Sequence, residues 1–456
     1  MGSSEFNLPL GGPSCVHCGL CTSECPTYRL TGDENEGPRG RIHLLDAVAG
    51  GRLRASPAAA KHLDSCLDCR ACETACPSGV RYGRMIESYR VHRPVSQRPL
   101  LRLLLRHVFP HRRRLRFALG LAAAAEGLGF GWAAEKLGLF SPLSGSVTQL
   151  RRLRPRLRRV ESPRGDDRLK TGRPRPDAET VHLLRGCVAA VAGRDTHAAT
   201  VALLSTAGYR VEMAGGQACC GAVAYHAGLH ADALRCVRSN ARSMRGDGAI
   251  VANVAGCGAF LKEVSDAVRS LPGVGEEDVV AAESLAGRTR DVHELLSDGR
   301  LPAFSPLPLR VAYQSACHLH HAQRCGSRPQ ELLRRVPALE VSEPVDALIC
   351  CGAAGTYNLT HVETSRELGR RKVDALLASD PDVIATGNIG CRLQLEAELR
   401  DRGVAVPVVH PVQILAEAAG VADFGLAEAG RGVRGTRSED PGSTSFPVET
   451  SRTRVQ

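Results

Sequence analysis

Cys15-Val-His-Cys18-Gly-Leu-Cys21-Thr-Ser-Glu-Cys25-Pro26 sets four cysteines in the spacing C-x2-C-x2-C-x3-C-P, and Cys66-Leu-Asp-Cys69-Arg-Ala-Cys72-Glu-Thr-Ala-Cys76-Pro77 repeats it. The first three thiolates of such a motif reach one [4Fe–4S] cluster through a tight loop. The fourth lies too far along to close the same cube and reaches the other. The spacing therefore predicts one cluster on Cys15, Cys18, Cys21 and Cys76, and a second on Cys66, Cys69, Cys72 and Cys25. Pro26 and Pro77 fix the backbone behind each fourth ligand and stop the preceding turn from running on. Zinc and paired disulfides are the competing readings. Zinc loops usually end after two or three ligands, and disulfides need an oxidising compartment.

The remaining cysteines of the 18 also fall largely in metal-ligand spacings, which points to a reducing, cytoplasmic setting. A chain of 456 residues suggests several domains. Aromatics are only 4% of it, so the core must rely on Ala, Leu and Val. The N-terminus lacks the basic and apolar regions of a signal peptide. The most apolar stretch, 117–134, is interrupted by Glu126 and glycines and predicts no membrane span. Net charge is +11, yet only five of the 59 basic residues are lysine. Such an Arg skew, with abundant Ala and Gly, is what GC-rich coding produces. Two clusters would add about four negative charges, so the basic balance is weak ground for a nucleic-acid partner. Neither a G-x-G-x-x-G dinucleotide fingerprint after a strand nor a Walker loop is present.

In chain order, 1–92 form a mainly helical, ferredoxin-like two-cluster unit. Its 31–38 segment reads as loop, with short helices at 42–48 and 58–63. Arg81, just past the last ligand, could hydrogen-bond cluster sulfur or sit in a plain turn. Residues 93–178 are an Arg-rich amphipathic helix and linker. Its 101–117 stretch reads either as a surface for anionic membrane or as a helix packed on the next domain, with Pro110 breaking it. The 151–178 connector is Arg- and Pro-rich, and 423–456 read as a disordered tail.

Residues 179–422 hold an internal repeat. Cys187, Cys219-Cys220-Gly and Cys257 in 179–305 recur as Cys317, Cys350-Cys351-Gly and Cys391 in 306–422. Each half reads strand–Cys–helix–strand–CysCysGly–helix–strand–Cys, which indicates βαβ units and a parallel sheet. The fold class is thus α+β multidomain: a helical two-cluster domain followed by two α/β cysteine-rich domains. The cysteines lie at the C-terminal ends of strands, where such sheets bind ligands.

These residues carry a resemblance. Cys15-x2-Cys-Gly-Leu-Cys-x3-Cys-Pro-Thr-Tyr, Gly37-Pro-Arg-Gly-Arg-Ile, Cys72-Glu-Thr-Ala-Cys-Pro-Ser-Gly-Val-Arg-Tyr, Ala316-Cys-His-Leu-His-His-Ala-Gln, Cys350-Cys-Gly-Ala-Ala-Gly-Thr-Tyr-Asn-Leu and Gly387-Asn-Ile-Gly-Cys391 resemble the iron–sulfur subunit of bacterial glycolate oxidase. The repeat is similar to the CCG domains of heterodisulfide reductases. The resemblance implies a complex oxidising glycolate, or a like 2-hydroxy acid such as lactate. A separate FAD subunit would take the electrons, and this chain would relay them singly to a quinone or another carrier, without catalytic residues of its own. The cysteine usage points to a cytoplasmic chain, and the basic 101–117 stretch leaves peripheral contact at the inner face of the membrane as an open alternative. The iron–sulfur subunit of anaerobic glycerol-3-phosphate dehydrogenase and a heterodisulfide-reductase-like enzyme are the runners-up; an iron–sulfur protein bound to nucleic acid is a remote third.

One departure matters. The fuller CCG pattern ends in C-x2-C, but Phe260 and Gln394 stand at its last positions. Four cysteines per half argue against a noncubane cluster and leave a cubane, zinc, or metal-free thiols open. Cys236 and Cys325 have no repeat partner and read as ordinary core cysteines. His318, His320 and His321 read as capping or surface residues rather than ligands. His293 and His410, each after a strand and before a helix, suggest a shared packing role.

Overall fold

The computed structural model describes residues 15–53, 56–92, 99–127, 144–153 and 177–428. Most of the 151–178 connector and the tail beyond 428 lie outside the described residues.

Helices Pro26–Thr31, Pro38–Ala49, Pro57–Asp64, Ala71–Thr74 and Tyr82–His92 build the N-terminal unit. Three begin with proline, whose missing N–H is one a first helical turn leaves unpaired anyway. That explains a departure from expectation: Gly37-Pro38 starts a helix instead of continuing a loop, and Glu34–Glu36 make a short 3-10 turn before it. Gly40 is dictated by packing, since a Cβ there would stand 2.1 Å from the Glu34 carbonyl oxygen. Ile42, Leu45, Leu63, Ile86 and Tyr89 close the core of the unit around Cys66 and Cys72.

The repeat forms two four-stranded parallel sheets. In the first, β1 (Thr180–Leu183), β2 (Arg210–Glu212), β3 (Ile250–Ala252) and β4 (Thr289–Asp291) take the order β2-β1-β3-β4. In the second, β5 (Arg310–Gln314), β6 (Glu340–Ser342), β7 (Val383–Thr386) and β8 (Val408–Val409) take the same order, β6-β5-β7-β8. β3 and β7 are buried along their whole length, as expected of parallel strands covered on both faces. The order reverses between the strand pairs β1/β3 and β5/β7, and ligands bind such sheets at that switch point.

The halves are not separate bodies. One core runs through both, joining Val181, Leu203, Val251 and Leu296 to Val311, Tyr313, Val383 and Ile414. Each fully buried aliphatic side chain stabilises this interior by roughly 2 kcal/mol. The core reaches past the expected end of the repeat, because Leu426 is buried in it and the Glu417 carboxylate accepts from the Phe424, Leu426 and Ala427 N–H groups.

The linker helix Pro99–His107 buries Leu101 and Leu105 against the first half, and Arg112–Gly127 buries Leu115. Its arginines are not all in water. Arg112 donates to the carbonyls of Gly186 and Gln217 at 3.2 and 2.9 Å.

Candidate metal centres

The two N-terminal motifs fold alike. His17 and Gly19 in the first, and Asp68 and Arg70 at the matching places in the second, are left-handed, with φ of 54°, 82°, 53° and 61°. A left-handed residue on either side of the second cysteine winds the loop tightly. Successive N–H groups in such turns face an anionic ligand. Cys15, Cys18, Cys21 and Cys76 line one cavity, with Cys72 in its wall. Burial, and then the neighbouring Cys15, Cys76 and Cys18, push the Cys21 thiol up to about 11. Burial likewise raises Cys72, followed by Cys69, Cys66, Glu73 and Cys25. Each fourth cysteine therefore stands with the other motif's three. Thiols this crowded cannot ionise together without a cation among them, so the donor set fits a metal cluster.

Hydrogen-bond donors aim at the sulfurs. Asp68 N–H lies 3.3 Å from Cys66 Sγ, and Val80 N–H lies 3.5 Å from Cys76 Sγ. Arg81 is exposed and makes no such bond. The residue that does is Arg41, 1% exposed, with Nη1 3.9 Å from Cys25 Sγ. Its Nη2 donates to Glu36 at 2.7 Å and Ser65 at 2.8 Å, and its Nε to the His62 carbonyl at 2.7 Å.

The repeat brings its cysteines together as well. Cys187 and Cys219 Sγ are 3.3 Å apart, Cys351 and Cys391 Sγ 3.0 Å. Contacts between Cys219 and Cys220, Cys220 and Cys257, Cys317 and Cys350, and Cys350 and Cys351 complete two chains of four thiols. Hydrogen bonding along each chain and burial raise Cys187 and Cys317 well above the ordinary thiol range. Gly221 and Gly352, at φ of 105° and 84°, turn the chain directly after each pair of adjacent, touching cysteines.

The second set abuts the N-terminal unit. Cys69 shares an apolar cluster with Cys317 and Cys350. Around it lies a buried ionic network: Arg70 to Glu263 at 2.6 Å and Glu87 at 3.1 Å, and Arg90 to Asp68 at 3.4 Å. Burial pushes Glu87 up to about 8 against the pull of Arg70. The histidines here are not surface groups. His318 Nδ1 is 3.6 Å from Cys317 Sγ in a π-helical turn, His318–Ala322, and buried His321 bonds Thr74 at 2.8 Å. Single π-turns often mark functional sites. His293 and His410 stack at 5.3 Å between the halves.

A ferredoxin-like pair of thiol sites docked on a duplicated cysteine-rich α/β body defines an iron–sulfur electron-transfer subunit. Residues 13–80 match the model of the 4Fe-4S dicluster domain, and 181–262 and 311–396 each match that of the cysteine-rich domain. The chain is 34% identical over 424 residues to the glycolate oxidase iron-sulfur subunit of Escherichia coli (strain K12), covering 89% of this chain and 93% of that one. It is 31% identical over 424 residues to the probable glycolate oxidase iron-sulfur subunit of Bacillus subtilis (strain 168), covering 89% and 94%. Lactate utilization protein A of Macrococcus caseolyticus (strain JCSC5402) matches at 27% over 237 residues, 52% of this chain and 95% of that protein. The chain belongs to the family of glycolate oxidase iron–sulfur subunits. Among the described residues no helix is long and apolar enough to cross a membrane.

Proposed function

We propose that this chain relays electrons within a complex that oxidises glycolate, or a close 2-hydroxy acid, to the 2-oxo acid. A partner subunit carries FAD and meets the substrate; a quinone or another carrier is the acceptor. Cys15, Cys18, Cys21 and Cys76 hold one [4Fe–4S] cluster, and Cys66, Cys69, Cys72 and Cys25 the other. When bound, each cluster takes up and releases one electron. The chain's own residues fix position and surroundings. The left-handed loops direct three thiols inward, and Arg41 and the Asp68 and Val80 amides donate toward sulfur. Aliphatic side chains exclude water from Cys66 and Cys72.

The observation that carries this reading is the packing of Cys69 against Cys317 and Cys350. It makes three of the four thiol sets continuous, from the exposed Cys18 at one end to the buried second half of the repeat at the other. The chain works in the cytoplasm, at the inner face of the membrane. Leu103, Phe117 and Leu121 are exposed on the linker helices among Arg102, Arg113, Arg114 and Arg116, a mixture suited to anionic lipid. The test is co-expression with the flavoprotein subunits. Glycolate should reduce the clusters, seen by low-temperature EPR, and Cys18→Ser with Cys69→Ser should abolish dye-linked turnover. Undiminished turnover in an iron-free assembly would overturn the proposal.

A further inference from the structure

The two thiol sets of the repeat are not equivalent, and a cysteine outside the repeat pattern makes the difference. Cys236 lies on the helix His230–Ser243 and is 7% exposed. Asn240, one turn further along the same face, clamps the cysteine loop. Its Nδ2 donates to the Cys219 carbonyl at 2.8 Å, and its Oδ1 accepts from the Ala218 N–H at 2.9 Å. The face bearing Cys236 is thereby held against the Cys219–Cys220 turn. A Cβ built on Gly221 would stand 3.6 Å from the Cys236 Cβ and 3.3 Å from the Phe260 ring. Phe260 occupies the position of the missing fifth thiol. Cys236 thus enters the same corner of the site from a different element. Its thiol is raised by burial and, next, by Cys187.

In the second half this corner is built differently. A Cβ on Gly352 would meet the Leu368 Cβ at 3.1 Å, so Leu368 stands where Cys236 does. One turn on, Lys372 replaces Asn240 and donates to the carbonyls of Asp346 and Ala347 at 2.5 and 3.1 Å. Gln394, in the place of Phe260, is tied to the Ser365 carbonyl at 3.1 Å. The first half therefore adds a thiol where the second has an alkyl group with an ammonium nearby.

We propose that Cys236 is the fifth thiolate of an iron–sulfur cluster in the first half, held with Cys187, Cys219, Cys220 and Cys257. Structural zinc takes four ligands in a tetrahedron, so a fifth thiol fits a polynuclear cluster better than a single ion. Arg112, bonded to the Gly186 and Gln217 carbonyls beside Cys187 and Cys219, offsets part of the added charge. The inference rests on the reading of the chain as an iron–sulfur subunit and adds a ligand that the repeat pattern does not contain.

The test uses the full chain purified anaerobically, as wild type and as Cys236→Ala, Cys236→Ser and Cys325→Ala. Iron and acid-labile sulfide are counted, Mössbauer spectra recorded, and thermal melts of the chelated proteins compared to detect misfolding. The wild type should hold iron beyond the about eight atoms of two cubanes. Cys236→Ala should lose that excess and keep the cubane signal. Cys236→Ser should retain iron with an altered spectrum, and Cys325→Ala should match the wild type. Excess iron and spectrum unchanged in both Cys236 variants would overturn the inference, as would a wild type with cubane iron alone. A wild type lacking the cubane signal would instead sink the electron-relay reading itself.

Discussion

Arg41 shows how much one side chain can carry. Its guanidinium joins Glu36, Ser65 and the His62 carbonyl, and reaches toward Cys25. Arg41→Met would strip buried Glu36 of its guanidinium partner and leave it only His62 and Ser65. Unfolding in urea should show a loss of about 3 kcal/mol, the usual consequence of breaking a buried pair from one side. A second residue-scale effect belongs to His197. Its Nε2 faces the Arg185 carbonyl at 3.0 Å and its Nδ1 the Asn253 amide nitrogen at 3.0 Å, which satisfies a neutral ring. Burial is the largest cause holding it down, to about 4 from the ordinary 6.5. The unfolded chain thus binds this proton more readily, and stability falls as pH drops from about 6.5 toward 4. Between pH 7.5 and 5.5 the loss from this group should be about 1.4 kcal/mol. Denaturation midpoints for wild type and His197→Gln should show a shallower pH slope in the variant.

At the scale of elements, the linker helices have two faces with opposite expectations. Leu105 is buried against the first half of the repeat. Leu105→Ala should destabilise by about 2–4 kcal/mol, read from thermal or urea unfolding. Phe117 is 73% exposed. The double variant Phe117→Ser, Leu121→Ser should change stability by less than about 0.5 kcal/mol, yet release the protein from vesicles containing anionic lipid in a sedimentation assay. Retention of the variant would remove these two side chains as the contact, and failure of the wild type to sediment with the same vesicles would remove the membrane from the proposal. The cysteine motifs, the duplicated alternation of strands and helices and the proline break were legible because each is a local pattern of spacing. The helix start at Pro38 was hidden, because the acidic residues around it mimic a loop. The role of Arg41 rather than Arg81 could not be read, since it depends on folding Pro38–Ala49 back over Cys25. The place of Cys236 beside the Cys219–Cys220 turn was hidden for the same reason: its neighbours are set by helix packing, not by sequence distance.

Across the whole molecule, the contact between the N-terminal unit and the repeat is ionic as well as apolar. Arg70 bridges Glu87 within its own unit to Glu263 in the first half. Arg70→Met should weaken that docking by about 3 kcal/mol and split a single unfolding transition into two, visible by comparing cluster absorbance with far-UV circular dichroism. The placement of His318 near Asp68 was likewise beyond sequence reading, because it appears only when two distant segments meet.

The interior that runs unbroken from Val181 to Ile414 has a dynamic consequence. With no cleavage plane between the halves, they cannot swing apart as a hinge. Motion of one half against the other is then unable to throttle current through the protein. Internal transfer after flash reduction should be insensitive to solvent viscosity, and any throttle must act at the edges, where other molecules dock.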